Sequence, residues 1–386
     1  MKVPARAALA AALVLGLTGA AAAPALADAH AAHTLAAHDR PAPEPSTGPN
    51  AKALREAIKG LPNADATAAL VRVGGPEGTW RGSSGVHDLV THRKADPNGR
   101  FRAGSTTKIV TAAVALQLAA EGTLDLDEPV QHYMPGLLTG KFKPIPVRSL
   151  LNYTSGLKSG DGFDDEYAHR FETLDYEAVV ASAVAKGPEH DPGVEQHYRN
   201  IGYTVLGMLI EKVTGDTYAH QASERIFEPL RMRDTYFPGA DPRIRGPHNR
   251  GYQTRERADG GTRLVDVTEW NQYDRFAAGD MISSTADLER FTRALFGGEV
   301  VPRPQLKEMF TLPAKVKDAT FGAGLQRYQA GDRVVWLKTG SRYGYTNMIA
   351  ATENGSRTLV YSVNATDAKG KDMNAVAERI ARAALS

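Results

Sequence analysis

Residues Ser105 to Ala120 constrain the fold more than any other stretch. Ile109, Val110, Ala113, Val114, Leu116 and Leu118 are spread around the whole circumference of a helical axis, so no face is left for water. Such a helix is stable only at the centre of a domain, with other elements packed on every side. The chain has the material to build them. It has 386 residues, 42% of them apolar and 23% charged, as in ordinary globular proteins and unlike disordered ones.

Strand signals lie on both sides of that helix, far apart in sequence. Ala69 to Val73 and Thr79 to Val86 read as two strands around the turn cluster Gly74-Gly75-Pro76-Glu77-Gly78. Those glycines lack the Gly-Lys-Ser/Thr ending and the following helix of a phosphate loop, so a hairpin is expected. Val334 to Leu337 reads as a strand, and Tyr345 to Thr352 with Arg357 to Val363 as a hairpin around Asn354-Gly355. Helices are expected at Leu54 to Leu61, at Ser284 to Phe296, and at the end of the chain, where Met373, Val376, Ile380 and Ala384 share one face. Residues 126–275 are rich in helical pattern, loops, Pro and Gly. The expectation is an α+β architecture. An α/β lobe would be built from 51–125 plus 276–386, with an inserted helical lobe, 126–275, and a pocket between the two.

The N-terminus reads differently. Lys2 and Arg6, the apolar run Ala7 to Leu17 and the small-residue sequence Ala25-Leu26-Ala27 have the order of a secretory signal, expected over 1–27. Residues 28–50 carry Pro41, Pro43, Pro45 and Pro49 and read as a disordered linker; its His30, His33 and His38 have no second ligand cluster of the zinc-protease kind. Export into the cell-wall space, with no membrane anchor in the mature chain, is expected. Outside the leader there remain 44 basic residues against 44 acidic ones, which excludes nucleic-acid binding driven by net charge. There is no cysteine, hence no disulfide, thiolate metal site or thiol nucleophile. No metal or organic cofactor is indicated, and a monomer is expected.

Three short signals carry chemistry: Ser105-Thr106-Thr107-Lys108, Tyr198-Arg199-Asn200 and Lys338-Thr339-Gly340. Ser155-Gly156-Leu157-Lys158 and Tyr345-Thr346-Asn347 duplicate the first two spacings. Context separates the copies. Ser105 opens the buried helix with Lys108 one turn on, so their side chains share a face and a helix N-terminus lies beside them. Ser155 sits among Gly156, Ser159, Gly160 and Gly162, in a loop. A serine nucleophile needs a base, and a lysine can serve once burial and neighbouring cations lower its pKa. Tyr198, held partly ionised near two lysines, can pass protons, and Asn200 can orient Lys108 or a substrate amide. Lys338 and Thr339, at the end of a strand, can bind a substrate carboxylate. Gly340 lets substrate backbone lie on the strand edge, and the Ser341 N–H can join that of Ser105 in an oxyanion hole. A serine cap with a solvated lysine, a Tyr and Asn at a helix start, and a basic strand end are the plainer alternatives for the three.

Taken in order, these signals resemble the serine penicillin-recognising family of DD-peptidases, class C β-lactamases and related esterases. Phe101 to Lys108, Leu124-Asp125-Leu126-Asp127, Leu150-Leu151 with Thr154 to Leu157, Asn200 to Tyr203, Gly279 to Ser284 and the segment after Lys338 all look like that branch, so that the likeness covers Ala51 to Ser386. The nearest likeness is to secreted, soluble D-alanyl-D-alanine carboxypeptidases. The resemblance implies a five-stranded antiparallel sheet flanked by helices, with an inserted all-helical lobe. It also implies Ser105 as the acylated nucleophile, Lys108 and Tyr198 sharing proton transfer, Asn200 positioning groups, and Lys338 and Thr339 binding the terminal carboxylate. This chain has Lys338 where many such enzymes have His, Gln326 then Arg327 where they carry a carboxylate-gripping Arg, and Tyr153 in a place often held by His.

The expected activity is removal of the terminal D-alanine from peptidoglycan stem peptides, or similar D-Ala-D-Ala peptides, through an acyl-enzyme, with β-lactams as inhibitors. An esterase, a D-amino-acid peptidase or a class C-like β-lactamase is the alternative on the same scaffold. A non-catalytic binder of wall peptides is a third reading.

Overall fold

The computed structural model describes residues 48–385. The expected signal, and all of the linker but Gly48 to Asn50, lie outside the described residues. Asn50 caps the first helix, α1 (Ala51–Ala57), its side chain accepting from the Ala53 amide at 3.0 Å.

The two ends of the chain meet in one antiparallel sheet of six strands, ordered β2-β1-β10-β9-β8-β7. These are β1 (Ala66–Gly74), β2 (Trp80–Gly85), β7 (Gln326–Ala330), β8 (Arg333–Arg342), β9 (Tyr345–Thr352) and β10 (Thr358–Ala365). Five strands were expected, and β7 is the sixth. Its sequence Gln-Arg-Tyr-Gln-Ala turns Arg327 and Gln329 to solvent, so this edge strand lacks the apolar content that marks a strand in sequence.

Both faces of the sheet are covered, and alternate residues divide between them. On one side Val335, Leu337, Met348, Ala350, Leu359, Tyr361 and Val363 pack against α1 and the C-terminal helix α6 (Ala375–Leu385). The buried stripe of α6 is Val376, Ala377, Ile380, Ala381, Ala384 and Leu385, and the Asn374 side chain caps its start. Each of its large apolar side chains contributes about 1.5–3 kcal/mol on burial. On the other side Trp336, Ile349, Ala351 and Val360 meet α2 (Thr107–Ala120) and α5 (Thr285–Gly297). As its composition requires, α2 is buried along nearly its whole length, from Thr107 to Leu118, with Gln117 alone partly open.

Residues 126–275 contribute α3 (Tyr176–Ala185), α4 (Ile201–Thr214) and several shorter helical turns. They also contain a hairpin, β4 (Tyr252–Glu256) with β5 (Thr262–Asp266), that the sequence pattern did not suggest. A short ladder joins β3 (Phe101–Arg102) to β6 (Ile282–Ser283), tying the approach to Ser105 to the segment after Gly279. Among the described residues no helix is long and apolar enough to cross a membrane.

Candidate active site

Ser105 does not open the α-helix itself. It sits in a 3-10 turn, Gly104–Thr106, that runs into α2. The turn is fixed from three directions. Gly104 takes a left-handed φ of +49°. Thr107 Oγ1 donates to the Gly104 carbonyl at 2.7 Å and accepts from the Met281 amide at 3.1 Å. Thr106 Oγ1 donates to Asn347 Oδ1 at 2.7 Å, which ties the turn to β9.

Lys108, one turn on, is fully buried. Its Nζ lies 3.3 Å from Ser105 Oγ, 2.8 Å from Asn200 Oδ1 and 2.6 Å from the Ala278 carbonyl. Burial, then the nearby cations Lys338, Arg275 and Lys369, hold its pKa well below the usual lysine range. The neighbouring carboxyl does little to oppose this, because burial pushes Asp280 up to about 8 and so favours its neutral form. A neutral amine has two N–H bonds and one lone pair. Asn200 and Ala278 accept the two protons, and the lone pair is left for the Ser105 hydroxyl. That geometry is what a general base requires.

Tyr198 joins the two lysines: the Lys108 ammonium nitrogen stands 5.1 Å from its ring centroid and that of Lys338 stands 4.8 Å from it. The phenol oxygen is buried without a hydrogen bond. Burial pushes its pKa up, and the adjacent Ser105 hydroxyl offsets this only in part. The expectation of a partly ionised phenol is therefore corrected. Both lysines are themselves buried and shifted toward neutrality, so they cannot draw the proton off Tyr198. Tyr153, with a left-handed φ of +62°, packs against Tyr198 with ring centroids 4.8 Å apart and edge-to-face against Phe321 at 4.9 Å. This apolar wall was not recognised in the sequence.

Lys338-Thr339-Gly340 lies inside β8, not at its end as expected, because the strand runs on to Arg342. Pairing with β7 nevertheless stops at Leu337, so from Lys338 onward one edge of β8 has no strand beside it. Lys338 is 3% exposed, its Nζ donates to the Thr339 carbonyl at 2.7 Å, and burial lowers its pKa to about 7. The glycine has a different use from the one expected. A Cβ on Gly340 would stand 1.9 Å from the Ala103 carbonyl, so its bareness admits the turn that carries Ser105. A Cβ on Gly104 would likewise stand 2.8 Å from the Ser341 nitrogen, which sets the Ser341 backbone against the nucleophile's turn. The Ser341 side chain faces away and donates to the Ala368 carbonyl.

The fold thus brings Ser105, Lys108, Tyr198, Asn200 and Lys338 together. Ser155 and Lys158 stay apart from them: Ser155 Oγ accepts from the Leu157 amide at 3.3 Å, and Lys158 Nζ donates to the Lys186 carbonyl at 3.2 Å. Four neighbours of the cleft went unrecognised in sequence. Ala278 offers only its carbonyl. Arg342 is 3% exposed, with a buried Nε that makes no hydrogen bond, and lies 5.8 Å from the Trp270 ring. Lys369 Nζ lies 3.4 Å from the Ser341 carbonyl. Arg275 pairs with Glu166 at 2.8 Å and Asp274 at 2.9 Å.

Comparison with known proteins gives the family. Residues 54–384 match the family model described as Beta-lactamase. A D-stereospecific amidohydrolase from Streptomyces sp. superposes with a TM-score of 0.73 at 31% identity, over 86% of this chain and 98% of that one. The D-amino acid amidase from Ochrobactrum anthropi SV3, complexed with L-phenylalanine amide, gives 0.72 at 27% identity over 86% and 97%. By sequence, Protein flp of Staphylococcus aureus is 30% identical over 54% of this chain, and the putative penicillin-binding protein PbpX of Bacillus subtilis 26% over 67%. The matched regions span 41% and 61% of those two proteins. The chain belongs to the Beta-lactamase family and is a serine hydrolase of that family.

Proposed function

We propose that this protein is an exported D-alanyl-D-alanine carboxypeptidase that acts on peptidoglycan stem peptides and is acylated by β-lactams. One observation carries the reaction: the fully buried Lys108 amine, its pKa held down by that burial, sets Nζ against two acceptors, Asn200 Oδ1 and the Ala278 carbonyl, and against the Ser105 hydroxyl. Lys108 takes the hydroxyl proton as Ser105 Oγ attacks the scissile carbonyl carbon. The N–H groups of Ser105 and Ser341 receive the oxyanion, the C–N bond breaks, and Tyr198 relays to the leaving amine the proton that Lys108 took, giving up its own and taking that one, so that both are neutral again. Water then hydrolyses the Ser105 ester. Asn200 holds Lys108 in place throughout.

The preference for a free carboxyl terminus rests on charge. Lys338, Arg342, Lys369 and Arg275 stand about the cleft against only Glu166 and Asp274, and Arg342 has no paired carboxylate. Such an excess attracts a carboxylate and disfavours a substrate with a free ammonium group there. A second reading, hydrolysis of D-amino acid amides, is supported by the likeness to the Streptomyces amidohydrolase. Steady-state kinetics on N-acyl-D-Ala-D-Ala, its L,L isomer and D-phenylalanine amide separate the two. The carboxypeptidase reading expects the first substrate to be best by at least about tenfold in kcat/KM, the worth of one charge-assisted hydrogen bond. Faster turnover of the amide would establish the second reading and end the first.

A monomer is also proposed. The exposed large apolar residues among those described, Val90, Phe171, Val194 and Leu264, are few and lie on separate segments. Sedimentation velocity tests this. A penicillin-binding protein homologue from Pyrococcus abyssi, octameric by description, shares the fold at 22% identity.

A further inference from the structure

The loop that delivers Tyr198 to the cleft holds a separate group of convergent donors. Glu189, His190 and His197 each present one ligand atom to a common point, and these atoms lie within 4.8 Å of one another. His190 Nε2 is buried and makes no hydrogen bond, and the buried His197 Nδ1 faces Glu189 Oε2. The opposite nitrogen of each ring is engaged: His190 Nδ1 lies 2.9 Å from the Asp191 carbonyl, and His197 Nε2 lies 3.1 Å from Glu195 Oε2. Both partners only accept, so each holds the imidazole proton on its own side. The inward nitrogens, His190 Nε2 and His197 Nδ1, then carry lone pairs. Metal-ligating histidines are oriented in this way, by a carbonyl or carboxylate on the far nitrogen.

Two acceptors facing each other require a positive charge between them. Glu189 Oε2 stands 3.1 Å from His197 Nδ1. A second proton on His197 would satisfy that contact and still leave His190 Nε2 without a partner, whereas a divalent cation satisfies all three atoms. We propose that Glu189, His190 and His197 bind one divalent transition-metal cation of the zinc class, the borderline-soft type that a two-imidazole, one-carboxylate set selects. Bonds of about 2.0–2.2 Å need the ligand atoms about 3.4 Å apart, so the group closes by somewhat more than an ångström. Glu189 is exposed, and Arg199 Nη2 donates to its Oε1 at 3.0 Å and to its Oε2 at 3.3 Å, a contact the Oε2 would exchange for the cation. No metal was expected from the sequence, where Glu189-His190 and His197 show no recognised zinc spacing.

The position gives the site a mechanical consequence. Glu189 N, Gly193 N and His197 N donate to the carbonyls of Gly156, Thr154 and Tyr153 at 2.8, 2.8 and 2.9 Å. A cation here ties the two ends of that loop to each other beside those hydrogen bonds, with its ligand His197 one residue ahead of Tyr198. The inference is independent of the proposed substrate.

The test is Zn²⁺ binding to the full-length chain after chelator treatment, read by metal content after dialysis, by visible absorption of the Co²⁺ form and by thermal midpoint. One equivalent per chain, a raised midpoint and a low-coordinate Co²⁺ spectrum are expected. His190→Ala and His197→Ala should each weaken binding by about 100-fold. Glu195→Gln, which replaces no ligand residue but weakens the contact that orients His197, should weaken it about 10–100-fold. The tail histidines His30, His33 and His38 and the exposed group Asp216, His220 and Glu224 are the internal controls. Binding that persists in His190→Ala and Glu195→Gln but disappears with His220→Ala or with the tail histidines replaced overturns the proposal. So does a wild-type chain that retains no stoichiometric metal, His197 then holding a second proton instead.

Discussion

Ser105–Lys108 and Ser155–Lys158 have the same spacing and opposite surroundings. In the first pair, a 3-10 turn passing into α2 puts both side chains on one face, and the core around α2 strips Lys108 of water. In the second, Gly156 with a φ of +72° breaks any helical path, and the lysine reaches out to the carbonyl of Lys186. The first amine has three directed partners and a depressed pKa. The second donates to one carbonyl near solvent. Spacing alone therefore decides nothing: a serine becomes a nucleophile through the element that carries it and the charge and burial around its base.

The largest expected effects fall on the first pair. Ser105→Ala should remove acylation by a labelled penicillin and lower kcat by about 10⁴-fold or more, while Ser155→Ala stays within about twofold of the parent. If Ser155→Ala lost activity as severely, the contrast between the copies would fail. Lys108→Ala should cost about 10²–10⁴-fold in acylation rate, the range for a positioned base, and Lys158→Ala should leave the rate unchanged in the same stopped-flow assay.

A smaller effect sharpens the account at the facing strand. Lys338→Ala should raise KM for N-acyl-D-Ala-D-Ala about 10–100-fold, as loss of a charge-assisted contact does, with little change for an ester lacking the carboxylate. Equal losses on both substrates would show that Lys338 serves the chemistry and not the carboxylate.

The pH profile is the subtlest test. Lys108 is shifted down, so its neutral, basic form persists to lower pH than that of an ordinary lysine and is lost as pH falls through its pKa; kcat/KM should drop on the acid side. Lys338 has a pKa of about 7, so its charged form prevails below that value; KM for the carboxylate substrate should rise as pH goes above about 7. That alkaline rise should vanish in Lys338→Ala.

Much of this arrangement is legible in the sequence, for identifiable reasons. The apolar circumference of α2 dictates its central place, and Asn354-Gly355 marks the hairpin of β9 and β10 within a residue or two. The order of the three motifs places Ser105, Lys108, Tyr198, Asn200 and Lys338 in one cleft. What escapes is whatever depends on partners remote in sequence. The strand β7 is polar because it is an edge. The glycine of Lys338-Thr339-Gly340 makes room for Ala103, more than 200 residues earlier. The protonation of Tyr198 is set by burial that no local pattern reports.

The central claim is that Ser105, activated by Lys108, forms the covalent intermediate. Acid-quenched protein, incubated with benzylpenicillin or with N-acyl-D-Ala-D-Ala and digested with trypsin, tests it directly by mass spectrometry. The account predicts the acyl mass on the peptide Ala103–Lys108; an adduct on Ser149–Lys158, or on no serine at all, would contradict it.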